Sequence, residues 1–71
     1  NTLKYVGRTM AVLVEESLGN HMYVGRTDFQ APEVDGVTYI NASQSRVELT
    51  PGHFATIRIT DSMEYDLTGE I

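Results

Sequence analysis

The stretch that decides the fold is "TMAVLVEESLGNHMYVGRT", residues 9–27. Met10, Val12 and Val14 alternate with Thr9, Ala11 and Leu13 before the run ends in two acids. Branched and apolar residues at period two predict a strand with one face inward, and the pair Val12 and Val14 argues against a helix. "SLGN" (17–20) is turn chemistry, because Gly and Asn tolerate positive φ. "HMYVGRT" (21–27) then predicts a second strand, so residues 9–27 form a β-hairpin.

Working outward, "DFQAPEVDG" (28–36) is a loop, too polar for core and punctuated by Pro32 and by the turn pair Asp35-Gly36. "VTYINA" (37–42) predicts a third strand, and "SQSRVELTPG" (43–52) a connector closing on a Pro51-Gly52 type II turn. In "HFATIRIT" (53–60) Ala55, Ile57 and Ile59 fall on the inner face, with Thr56, Arg58 and Thr60 outward. A tight "DS" corner precedes a fifth strand over 63–71. Five short strands and no credible helix predict an all-β fold, a small five-stranded antiparallel OB-like barrel, since closing the sheet removes exposed edges.

Seventy-one residues make one domain, 1–71, with a core from about 3 to 71. A chain this short buries only ~60% of the surface that its unfolded form exposes. It starts at Asn1 without a methionine and is expected to be a piece cut from the C-terminal end of a longer protein. No apolar run approaches the ~20 residues of a membrane helix. The absence of cysteine excludes disulfides, thiolate nucleophiles and thiolate-held zinc or iron–sulfur centres within the chain, and fits a cytoplasmic origin.

Net charge is −5, with ten carboxylates against Lys4, Arg8, Arg26, Arg46 and Arg58. Nucleic-acid modules draw most of their sequence-independent affinity from clustered Lys and Arg. This balance instead favours a basic partner and disfavours RNA and DNA.

Candidate chemistry is thin. His21 and His53 lie beside turns without further ligands at useful spacing, so they read as ordinary surface histidines. Glu33/Asp35 and Glu64/Asp66 are i, i+2 pairs that would share a strand face, but acids are common here and solvated surface is the plainer reading. No serine has an evident base and no Gly-rich loop opens a helix, so the fragment alone is not an enzyme. Tyr5, Tyr23, Phe29, Tyr39, Phe54 and Tyr65 fit either barrel packing or a base-stacking platform. "VGRT" occurs at 6–9 and 24–27; its glycines permit bends that leave Arg8 and Arg26 in solvent, or aim both at one shared surface. The acids of 28–35 and of "DSMEYDLTGE" (61–70) would form one negative patch if the fold gathers them.

Taken together, "VGRT", "VLVEE", "APEVDG" (31–36) and "EYDL" (64–67) resemble the TRAM domain, and within it the C-terminal TRAM domain of the RimO-type radical-SAM methylthiotransferases. The resemblance covers roughly residues 3–71; "GRT" is generic to TRAM domains, while "APEVDG" and "EYDL" are specific. The sister enzymes acting on tRNA share "VLVE" and "GRT" but usually lack the proline-acid-Asp-Gly loop. The resemblance implies a parent enzyme that uses S-adenosylmethionine and iron–sulfur clusters held elsewhere to methylthiolate an aspartate of a basic small-subunit ribosomal protein. It implies that this barrel docks the client, with Asp28, Glu33 and Asp35 facing its basic side chains; Asp61, Glu64 and Asp66 are candidate partner-binding residues through the negative patch. Arg26 would hold the loop by pairing with one of the acids at 28, 33 or 35. The alternatives are an RNA-binding TRAM module of a tRNA methylthiotransferase, and a structural barrel packed on the parent's catalytic domain.

Overall fold

The computed structural model describes residues 3–30 and 36–71. After a single 3-10 turn at Leu3–Tyr5 come five strands: β1 Thr9–Gly19, β2 Met22–Arg26, β3 Thr38–Asn41, β4 Phe54–Ser62 and β5 Leu67–Glu70. They close into a barrel in the order β1-β2-β3-β5-β4.

The period-two reading holds. Val12 and Val14 of β1, Tyr23 of β2, Ile40 of β3, Ile57 and Ile59 of β4 and Leu67 of β5 are buried in one core, joined by Ala42. Met10 and Ala55 pack at its margin. β1 is long because it serves two neighbours: residues 9–13 pair with β4, and Leu13 onward pairs with β2. Irregularities at Val14/Glu16 and Ser17/Gly19 bend the strand between these partners.

Three expectations need correction. First, the barrel is not wholly antiparallel: β3 and β5 run parallel, Thr38 opposite Leu67 through Asn41 opposite Glu70. Parity requires this, because strands around a closed ring can alternate in direction throughout only if their number is even. Second, the first hairpin turns later than "SLGN". Gly19 pairs with Met22, leaving Asn20 and His21 as a two-residue loop with φ of 52° and 60°. Positive φ at both central positions matches the twist of the flanking strands, and Asn and His are among the residues that tolerate it. Third, Asp61 and Ser62 are not a corner. β4 runs through them, opposite Thr68 and Leu67, after an irregularity at Ile59/Asp61, and the turn falls at 63–66.

The Pro51-Gly52 turn is as read: Gly52 has φ 93° and the His53 N–H donates to Thr50 O at 3.1 Å. The connector before it is pinned to the barrel where the Leu49 N–H donates to the Tyr23 hydroxyl at 3.1 Å. Gly25 is indispensable to the β1–β2 contact, since a Cβ there would sit 2.2 Å from Leu13 O.

Candidate functional site

One end of the barrel collects the end of β2, the start of β3 and the turn from β4 to β5, and a buried glutamine ties them together. Gln30 is 3% exposed. Its Oε1 accepts from the Thr38 hydroxyl at 2.7 Å and the Thr27 N–H at 3.1 Å. Its Nε2 donates to Val37 O at 3.2 Å and Tyr65 O at 3.3 Å. A buried amide is tolerated only when its donors and acceptor are used in this way. Asp66 adds a second tie, its Oδ1 accepting from the Val37 N–H at 2.9 Å. Gly36, with φ 77°, makes room for it: a Cβ would lie 2.4 Å from Asp66 Oδ1. The two segments that carry the specific resemblance, "APEVDG" and "EYDL", thus meet at Gly36 and Asp66.

Asp28, Asp61 and Glu64 are exposed and Asp66 is half-buried. None of the four forms an ion pair with a described residue, whereas Glu15 is bound by Arg26 and Glu70 by Arg58. These four of the carboxylates nominated from sequence are therefore left without a cation among the described residues. Asp61 and Glu64 lie in solvent beside the exposed Met63 and Tyr65. Asp66 is turned to the backbone, so the expectation that Glu64 and Asp66 share a strand face fails: both lie in the turn before β5. Glu33 and Asp35 lie outside the described residues.

Of the acids expected to pair with Arg26, only Asp28 is among the described residues. Among these residues the partner of Arg26 is Glu15, not Asp28: Nε donates to Glu15 Oε2 at 2.8 Å, and a second guanidinium nitrogen donates to the same oxygen. The hairpin register sets Arg26 across from Leu13 and close to Glu15, and this pins its side chain to β1.

The two "VGRT" copies do converge on one surface. A cleft of about 570 Å³ is lined by Arg8, Thr9, Met10, Ala11, Asp28 and Phe54. A second, of about 240 Å³, is lined by Leu13, Arg26, Thr27, Asp28, Gln30 and Phe54. Asp28 and Phe54 belong to both. Phe54 is 69% exposed. Its position was legible, since Ala55, Ile57 and Ile59 inward force Phe54 outward, but nothing in the pattern singled it out from the other aromatics. Those divide between roles: Tyr23 is buried, and Tyr5 stacks on Phe29 at 4.5 Å between centroids. Tyr39 and Phe54 are both exposed, but they pair with Val24 and Leu13 respectively and share no row of the sheet.

His53 is exposed and His21 half-buried, with Nδ1 4.0 Å from Glu48 and no hydrogen bond. Among the described residues no three His, Cys, Asp or Glu side chains are grouped to hold a metal ion. None of their helices is long and apolar enough to cross a membrane.

The sequence model of the family described as "TRAM domain" matches residues 6–71. The chain is a TRAM domain. Over 68 residues it is 52% identical to the ribosomal protein uS12 methylthiotransferase RimO of Petrotoga mobilis, covering 96% of this chain and 15% of that protein. The protein of the same name from Desulfitobacterium hafniense is 44% identical and that from Clostridioides difficile 38%, each again with 96% of this chain and 15% of the relative covered. This TRAM barrel thus spans about 15% of the length of the curated relatives it matches.

Proposed function

We propose that this TRAM barrel is a non-catalytic docking module of a cytoplasmic methylthiotransferase that modifies an aspartate of a basic small-subunit ribosomal protein. The observation that carries the reading is the distribution of unmatched charge. Asp28, Asp61, Glu64 and Asp66 lack ion-pair partners among the described residues, and the hydrogen bonds of Gln30 and Asp66 tie the segments that carry Asp28, Glu64 and Asp66 to the start of β3. Arg8, which lines a cleft with Asp28, and Lys4 do not overturn an overall balance of −5. Free carboxylates on a rigid frame steer a cationic polypeptide and repel polyphosphate. The names of the relatives, uS12 methylthiotransferases, supply the client class.

The chain contains no cysteine, so it offers no thiolate to an iron–sulfur cluster, and no chemical step is assigned to its residues. S-adenosylmethionine and the clusters belong to other parts of the parent, with which the barrel shares the client.

The test is affinity of the full-length protein for its ribosomal client and for RNA across a salt series. Charge reversal at Asp61 and Glu64 together should weaken client binding by roughly three- to tenfold at low salt, with the loss shrinking as salt rises. An unchanged affinity ends the docking role. A second reading, RNA binding, draws on Arg8, Arg26 and Phe54 lining adjoining clefts. It requires RNA affinity with a steep salt slope.

A further inference from the structure

The smaller of the two clefts has a lining that specifies more than a generic acidic surface. Leu13 and the exposed ring of Phe54 supply apolar wall. Thr27 and Gln30 contribute little polarity to a ligand, because both are buried and Gln30 spends its amide on Thr27, Thr38, Val37 and Tyr65. Two charged residues remain. Arg26 is held by Glu15, which neutralises it. Asp28 has no ion pair among the described residues and is exposed. The cleft is thus an apolar slot of about 240 Å³ with one uncompensated carboxylate.

We propose that the slot between Leu13 and Phe54, closed by Asp28, receives a single arginine or lysine side chain of the basic partner. Such a side chain carries an aliphatic stem that lies on apolar surface and a charged head that does not. The stem would lie along Leu13, and the head would meet the Asp28 carboxylate beside the Phe54 ring, whose face attracts cations. Arginine suits the site better than lysine, because a planar guanidinium stacks on the ring and is more weakly hydrated. The site favours one cation over two, because Arg8 lines the larger cleft together with Asp28 and opposes a second positive charge there. This rests on the docking reading above and adds to it a residue, Phe54, that the acidic surface alone does not implicate.

The experiment measures binding of the full-length protein to a labelled synthetic peptide with four arginines spaced by glycine and serine. A matched peptide carries citrulline, which keeps the shape of arginine and removes its charge. Asp28→Asn and Phe54→Ala should each weaken the arginine peptide roughly two- to fivefold. Glu48→Gln, in the connector, should leave it unchanged. The citrulline peptide should bind more weakly and be insensitive to Asp28→Asn. Both test positions are exposed, so a matched thermal midpoint will show that the variants fold. If the arginine peptide binds and neither Asp28→Asn nor Phe54→Ala weakens it, the slot is wrong while the docking reading stands. If that peptide does not bind at all, both fall. If a single-stranded oligonucleotide binds instead and loses affinity in Phe54→Ala, the ring is a base platform and both fall again.

Discussion

Glu15 and Glu64 are the same residue type on one small barrel, and the fold treats them differently. Glu15 sits in β1 within reach of Arg26 on the neighbouring strand, and the two are bonded. Glu70 of β5 meets Arg58 of β4 in the same way, as directly opposed partners in the register. Glu64 lies in the turn between β4 and β5, where no strand neighbour exists to supply a cation. Asp28 follows the end of β2 and is likewise without an ion pair among the described residues. Strand pairing matches a charge only where it sets a cation across from it or close by, as at Glu15 and Glu70. Glu16 of β1, opposite Val24, and Asp61 of β4, opposite Thr68, form no ion pair among the described residues. A carboxylate's availability for a partner is therefore a matter of its place in the register, and composition does not reveal it.

The largest effect should come from breaking the register itself. Gly25→Ala places a Cβ 2.2 Å from Leu13 O, a backbone atom that cannot swing aside. It should cost at least about 3 kcal/mol in urea denaturation, with loss of the Arg26–Glu15 pair as the strands part. A midpoint within error of the parent would show that the strands approach less closely than described.

Next in size is the tie that organises the acid-bearing end. Gln30→Leu keeps the volume but leaves Thr27 N–H, Val37 O and Tyr65 O without their side-chain partner. A loss of about 2–3 kcal/mol is expected, since buried groups deprived of partners cost more than the bond itself contributed. Client affinity should fall with it. Asp66 offers a finer separation of frame from charge. Asp66→Ala removes the acceptor for the Val37 N–H and should cost about 1 kcal/mol. Asp66→Asn keeps an acceptor oxygen and should cost less in thermal melts. If Asn and Ala prove equally damaging, charge and not the backbone contact is what Asp66 contributes.

The smallest effects address the comparison directly. Glu15→Gln should destabilise by under about 1 kcal/mol, less at high salt, because the pair is only partly buried. Glu64→Gln should be neutral or slightly stabilising, since no cation among the described residues compensates Glu64 and the chain is already at −5. Equal responses at the two sites would erase the distinction between register-matched and free acids.

Much of this was legible beforehand. Alternation over 9–14 and 53–60 placed Val12, Val14, Ile57 and Ile59 inside, and they are buried. Pro51-Gly52 gave its turn type. Illegible were the partner of Arg26, eleven residues away across a hairpin with two irregularities, and the end of β4, where Asp61-Ser62 looked like a corner yet still pairs with β5. Local composition carries neither, because both depend on which residue of a distant segment stands opposite.

By itself, the sequence determined the strands, the acidic balance and the exclusion of thiolate chemistry, since these follow from residue type and a period of two. Only the tertiary structure decided the parallel pairing of β3 with β5, the meeting of Gly36 with Asp66, and which carboxylates stay unmatched. Those are relations between segments far apart in the chain, and closure of the barrel, with its odd number of strands, is what brings them together.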